Sequence, residues 1–313
     1  MRGVGLIEFG GPEVLQVVEL PEEHAGAGEV RVRVRAATVN PTDAGLRNGS
    51  RAEALKGVPT PHVPGMDVAG VIDELGADTA TDLQVGDEVM GMVIPNGPHG
   101  GYREAIVLSA DSVVRVPRGT TLVEAATLPM NGLTARQSLD QLGLRSGQTI
   151  AVTGAAGCYG GYVVQLAKAD GLRVIADAAP ADEALVRSLG ADIVVARGPE
   201  IAANIRAVVP AGVDGLADGA VQRDAAVAAV RDGGAFASVR GWAGTGERGI
   251  TFHRTSVREY DHRPELLDRL RQLVEEGAVS LRVAATYPPE EAAEAHRRLE
   301  AGGTRGRLVV TFE

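Results

Sequence analysis

The run Thr149-Ile150-Ala151-Val152-Thr153-Gly154-Ala155-Ala156-Gly157-Cys158-Tyr159-Gly160-Gly161 passes from an apolar, β-type stretch into small residues, and Tyr162 to Lys168 resumes with helical spacing. Ala155, Gly157 and Gly160 make an A-x-G-x-x-G turn between strand and helix. Small residues there let the backbone close on a pyrophosphate, whose charge rests on the N–H groups and dipole of the helix N-terminus. Gly171 stops the helix, and Leu172 to Ala176 reads as a second strand ending in Asp177. That spacing suits the acid that accepts from a ribose diol and repels a 2′-phosphate, favouring NADH; turned to solvent, Asp177 is a loop acid instead. Arg173 within the strand and Arg187 beyond it are not phosphate clamps. Cys158 lies where a helix dipole lowers a thiol pKa, and Tyr159 either covers the pyrophosphate or packs on the first helix. Arg240 and Gly241 follow another apolar strand at the edge where parallel sheets bind ligands; Arg240 either reaches a cofactor or acidic substrate group or forms a surface salt bridge.

These residues need a sheet to hold them. Strand and helix alternate through a helix around Glu183 to Leu189, a strand near Ile193 to Val195, a strand Val213 to Ala217 and a crossover from Arg223 to Arg231. The strand Ala235 to Val239 follows, the rhythm of a doubly wound parallel sheet. Before this region, short β-type runs at Glu29 to Val34, Val68 to Leu75 and Asp87 to Val93, separated by Gly and Pro, predict a mostly β domain. After it come an amphipathic helix from Pro264 to Glu276, an extended Leu281 to Thr286, and a helix from Pro289 to Leu299. The final strand, Arg307 to Phe312, needs the sheet of the first domain. The expected division is a β domain over 1–118, a cofactor domain over 119–258, and a segment 259–313 that returns to the first, with a cleft between the two.

A chain of 313 residues suffices for two cores. Its net charge of −10, with no clustered Lys/Arg tract, argues against nucleic acid or an anionic membrane as partner. No apolar run approaches about 20 residues and residues 1–9 do not read as a signal sequence, so a cytoplasmic protein is expected. One cysteine excludes an internal disulfide framework and a Cys-rich zinc site.

Further segments carry a resemblance across essentially the whole chain: Val39-Asn40-Pro41-Thr42-Asp43, Val63-Pro64-Gly65-Met66-Asp67-Val68-Ala69-Gly70, Val85-Gly86-Asp87-Glu88-Val89, Gly100-Gly101-Tyr102, Leu128 to Ala135, Leu189-Gly190-Ala191-Asp192 and Arg305-Gly306-Arg307. In this order and spacing they resemble the medium-chain dehydrogenase/reductase superfamily, and within it the zinc-independent, zeta-crystallin-like quinone oxidoreductases. The resemblance implies an α/β protein with a GroES-like catalytic domain and a Rossmann cofactor domain, paired as a homodimer through an edge strand such as Gly249 to His253. It implies a nicotinamide cofactor, NADPH by family habit with NADH left open by Asp177, and a small electron-poor acceptor: a quinone or another α,β-unsaturated carbonyl. Zinc-dependent relatives place Cys, His and Cys where this chain has Asn40, Met66 and Met130, which implies that no zinc is bound. Asn40 and Asp43 then stand at the nicotinamide end, as catalytic candidates or as ordinary turn residues. A tyrosine that several relatives carry nearby is replaced by Ala44-Gly45-Leu46-Arg47. Thr134 and Asp218 complete the cofactor candidates with Ala155, Gly157, Cys158, Tyr159, Gly160, Asp177, Arg240 and Gly241. An enoyl reductase of polyketide or fatty-acid metabolism and a cofactor-binding protein without turnover are the alternatives.

Overall fold

The computed structural model describes residues 1–313, which cluster into two compact units. The first comprises Met1–Met130, Asp261–Glu275 and Ser280–Glu313; the second comprises Asn131–Tyr260 and Glu276–Val279. No helix is long and apolar enough to cross a membrane.

The first unit opens with a two-stranded sheet of β1 (Arg2–Gly5) and β2 (Gln16–Glu19). Its main sheet is built on β3 (Glu29–Thr38), in which Val30, Val32 and Val34 are buried while Arg33 faces outward. That alternation is what one covered face requires. The other strands are β4 (Asp67–Leu75), β5 (Glu88–Met92), β6 (Ala105–Ser109) and β7 (Val113–Arg115), paired antiparallel around it. Helix α1 (Pro41–Arg47) follows β3 directly. A single turn, α2 (Leu122–Ala125), packs on β3, β4 and β5 and draws residues 119–130 into this unit. Helix α3 (Pro129–Leu142) leads into the second unit.

There β8 (Thr149–Thr153) is central and buried on both faces, as a middle parallel strand must be. The strands β9 (Arg173–Ala178) and β10 (Ile193–Ala196) lie to one side, and β11 (Val213–Asp218), β12 (Val230–Ser238) and β13 (Thr251–Arg254) to the other, all parallel. Strand order reverses between β8 and β11, so the turns after these two strands flank a crevice at the C-terminal edge. The crossovers are α4 (Cys158–Ala169), α5 (Glu183–Ser188), α6 (Ile201–Val208) and the single turn α7 (Asp224–Val227).

Two expectations about these elements are corrected. The second strand extends through Ala178, because its pairing with β10 carries on to Ala196 opposite Ala178; Asp177 therefore lies inside the strand. The crossover expected from Arg223 to Arg231 shrinks to one turn, and Val230 already pairs with Val213. The carbonyls that a longer helix would use are taken by guanidinium groups: Arg206 donates to Ala228 and Val230, and Arg248 donates to Val227 and Val230.

The chain then returns to the first unit with α8 (Pro264–Glu275), which buries Leu267, Leu270 and Leu273. The last elements are β14 (Val283–Tyr287), α9 (Ala292–Ala301) and β15 (Arg307–Thr311). Strand β15 pairs antiparallel with β3, so the final strand joins the first sheet as its apolar character demanded.

Candidate active site

The turn after β8 is built by contact between backbones. A Cβ on Gly160 would stand 2.3 Å from the Gly154 carbonyl oxygen and 2.9 Å from the Ala155 Cα, so only glycine lets α4 start this close to the strand end. Gly157 is the residue before the helix, and no side chain caps α4 there; a Cβ on it would meet only the Gly154 oxygen, at 3.2 Å. At the far end Gly171 has φ 77° and Leu172 N–H donates to Ala167 O, the expected C-terminal closure. A helix start with glycine at its cap fits a pyrophosphate. Cys158, the first helical residue, is half-buried.

Asp177 is 4 % exposed, which rules out the loop acid. Its carboxylate turns onto the fingerprint, accepting from Ala155 N–H at 3.1 Å and from Gly154 N–H. Burial raises its pKa, opposed by those two N–H groups and by the Arg197 charge. Across the crevice Asp218 is fully buried and accepts from Thr153 Oγ1 at 2.6 Å, Gln222 N–H at 2.9 Å and Arg223 N–H at 2.8 Å. It fixes the turn after β11, where Val221 and Arg223 have φ 58° and 52°.

Tyr159 lies over the backbone of Gly219, where a Cβ would come within 2.7 Å of its ring. Its hydroxyl meets Ser138 Oγ at 2.7 Å; Ser138 also contacts Thr255 Oγ1 at 3.1 Å and donates to the Thr134 carbonyl at 3.0 Å. The ring therefore ties α4 to α3 and to the end of β13, and burial raises the phenol pKa. Arg240 and Gly241 form an exposed turn after β12 with φ 63° and 75°.

In the first unit Asn40 is fully buried at the end of β3. Its Nδ2 donates to Asp67 Oδ2 at 2.8 Å and its Oδ1 accepts from Arg307 Nη2 at 2.7 Å. Asp67, also fully buried, accepts from Thr38 Oγ1 at 2.6 Å, Met130 N–H at 2.6 Å and Arg307 Nη2 at 3.0 Å. Arg307 Nη2 also contacts Thr38 Oγ1. Met66 is buried, its sulfur accepting from Thr42 Oγ1. An amide, a thioether and a backbone-bonded methionine are not a zinc ligand set, and no three His, Cys, Asp or Glu side chains gather to hold a metal. The cation at this point of the fold is a guanidinium.

Asp43 is 1 % exposed and holds the start of α1, accepting from Asn40 N–H at 2.8 Å and Gly65 N–H at 2.9 Å. Burial, only partly opposed by these bonds, pushes its pKa up to about 7. The Tyr102 hydroxyl stands 3.5 Å from its Oδ2 and 3.3 Å from His296 Nε2. Burial, with the Arg47 charge adding to it, takes His296 down to about 3.

Sequence reasoning did not single out Thr38, Asp67, Tyr102, His296 or Arg307 as members of one cluster. The available signal was charge inside apolar strands, at Asp67 beside Val68-Ala69 and at Arg307 beside Leu308-Val309-Val310, because buried charge demands a partner.

Residues 26–118 match the alcohol dehydrogenase GroES-like domain, and residues 189–310 match the zinc-binding dehydrogenase family. A quinone oxidoreductase of Pseudomonas aeruginosa is 31 % identical, the match covering 96 % of this chain and 97 % of that protein. The chloroplastic NADPH-dependent alkenal/one oxidoreductase of Arabidopsis thaliana is also 31 % identical, over 97 % of this chain and 77 % of its own length. The solved quinone oxidoreductase of Coxiella burnetii superposes with a TM-score of 0.88 at 29 % identity, covering 100 % of this chain and 99 % of that one.

Proposed function

The chain belongs to the quinone oxidoreductase-like medium-chain dehydrogenase/reductases, and from that premise we propose that it is an NAD(P)H-dependent reductase of quinones or other α,β-unsaturated carbonyls. The turn at the start of α4 carries the reading: glycine at the cap and glycine at the close approach to the strand. When bound, the dinucleotide supplies the hydride. The protein's part is binding and orientation. Gly157 and Gly160, with Ala155 and Cys158, receive the pyrophosphate on the N-terminus of α4. Asp177 and Asp218 stiffen the two turns of the crevice through their backbone bonds. Thr134, Tyr159, Arg240 and Gly241 belong to the same unit and complete the cofactor's surroundings. Asn40 and Asp43 act as positioning residues, since their polar atoms already serve Asp67, Arg307 and the start of α1.

A conjugated acceptor fits the residues at the family's metal positions. A saturated carbonyl needs polarisation to accept hydride, whereas a quinone or enone is electron-poor as it stands. The coenzyme is read as NADPH, supported by the inward carboxylate of Asp177, which leaves the end of β9 without an acid. A homodimer through β13, an edge of its sheet, and a cytoplasmic setting complete the reading.

The test is coenzyme oxidation by the purified protein with simple quinones, conjugated enones and saturated aldehydes, with and without a zinc chelator. Turnover of the conjugated acceptors, unaffected by chelation, is expected. Activity confined to saturated substrates and lost on chelation would overturn the proposal, as would coenzyme binding with no turnover of any acceptor.

A further inference from the structure

We propose that Asp177 is an electrostatic counterweight to the coenzyme: dinucleotide binding at the α4 turn drives uptake of a proton by this carboxylate. The inference rests on the dinucleotide reading of that turn and adds a proton linkage to it. Asp177 lies inside β9, opposite Val195 of β10, and is 4 % exposed. Its Oδ1 accepts from Ala155 N–H at 3.1 Å, and Gly154 N–H bonds to the same carboxylate.

The pyrophosphate belongs on the other side of the same few residues. Helix α4 starts at Cys158, three residues past Ala155. Gly157 N–H donates to the Gly154 carbonyl at 2.9 Å, which folds the cap of the helix back onto a residue that Asp177 holds. One layer of backbone then separates the carboxylate from the place of the phosphates. Like charges this close repel strongly where little water screens them, and the repulsion is relieved when the acid takes a proton.

Two buried acids flank the turn, and they are held differently. Asp218 accepts from a hydroxyl and two N–H groups, at 2.6, 2.9 and 2.8 Å. Asp177 has the two N–H groups alone, and the charges facing it divide: Arg197, the residue after β10, favours its anion, and Asp218, at the end of β11, opposes it. Burial outweighs the bonds and raises its pKa. The other titratable groups around the turn are Cys158 and Tyr159 on α4, the phenol raised by burial, and the buried Asp182 after β9. A pyrophosphate adds negative charge on the side of Asp218, so it moves Asp177 further in the same direction. Binding therefore takes up a proton between the two pKa values of Asp177, and affinity falls as pH rises through them.

The experiment is calorimetric titration with NAD+, which carries the pyrophosphate and no 2′-phosphate, from about pH 5.5 to 8.5 in paired buffers of different ionisation enthalpy. The charge of the ligand is constant there, so any proton taken up on binding goes to the protein. We expect net uptake by the unaltered protein and a Kd that rises with pH. Asp177→Asn keeps an oxygen for Ala155 N–H and loses the charge. It should take up less, and bind NAD+ at least about threefold more tightly at the upper end of the range, the gap closing as pH falls; that binding also shows the variant to be folded. The same comparison with NADP+ is informative because its 2′-phosphate is common to both proteins and cancels in their difference. Absence of uptake by the unaltered protein at every pH would overturn the linkage without need of a variant. Equal uptake by Asp177→Asn would give the proton to another group, such as Cys158, and overturn the role of Asp177. Weaker binding by Asp177→Asn at every pH would overturn the counterweight and leave the carboxylate a brace. Failure of the unaltered protein to bind either NAD+ or NADP+ would overturn the dinucleotide reading itself.

Discussion

Gly157 and Gly160 belong to one motif, but a methyl group has a different consequence at each. At Gly160 it would meet backbone at 2.3 Å, so α4 must move; Gly160→Ala should lower stability by about 2 kcal/mol or more, read as a fall in unfolding midpoint. At Gly157 the nearest atom is 3.2 Å away, so Gly157→Ala should fold with nearly unchanged stability while obstructing the pyrophosphate, seen as a rise of about tenfold or more in coenzyme Kd. The opposite pattern would move the phosphate away from the cap of α4.

Asp43 and His296 make a second prediction at this scale, since burial moves their pKa values toward and past each other. Asp43 keeps its proton in the folded protein up to about pH 7, whereas an unfolded Asp releases it near 4; its contribution to stability is present at low pH and lost as pH rises between these values. His296 stays neutral in the folded protein down to about pH 3, whereas an unfolded His charges near 6.5; its contribution is present above 6.5 and lost as pH falls. Between about pH 4 and 6.5 the two slopes oppose each other, each up to about 1.4 kcal/mol per pH unit. Urea unfolding of Asp43→Asn should therefore show stability rising with pH across this window more steeply than in the parent. His296→Gln should shift the slope the other way. Parallel profiles for the two variants would show that the groups titrate normally.

Among the elements, the turn after β11 is the strained one. Val221, a β-branched residue at φ 58°, is held there by the bonds that Asp218 makes to the next two residues. Val221→Gly relieves the strain and should leave stability unchanged or raise it by up to about 1 kcal/mol, a small upward shift in Tm. A clear loss would mean that the valine side chain is needed for packing. The same turn shows what the sequence makes legible and what it hides. Apolar runs bounded by Gly and Pro announce β8, β11 and the helices between strands, because periodicity records which face is covered. The shortening of α7 is invisible, since it depends on Arg206 and Arg248 reaching carbonyls more than 15 residues away in sequence. Asp177 was legible as a residue but not in direction: one extra residue of pairing with β10 moves it from the rim of the sheet to its interior.

For the molecule as a whole, the edge strand β13 predicts that light scattering at micromolar concentration gives twice the mass of the 32.4 kDa chain; a monomer throughout would exclude pairing through that edge. The motifs around Asp67 and Arg307 were legible as family signatures, but their meeting was not, because they are 240 residues apart and joined only when β15 pairs with β3. Arg307→Ala leaves the buried Asp67 without its counter-ion and should cost about 3 kcal/mol or more, with Asp67→Asn in the same chain recovering part of it. No recovery in the double variant would mean that the guanidinium acts by packing alone. This pairing also sets a timetable for biosynthesis. A ribosome delivers Asp67 240 residues before Arg307, with the second unit in between, so a carboxylate of the first unit awaits its counter-charge throughout synthesis of the second. The first sheet is completed only when β15 pairs with β3, so a chain lacking β15 should be cleared by cellular proteases although every residue of the α4 turn is present.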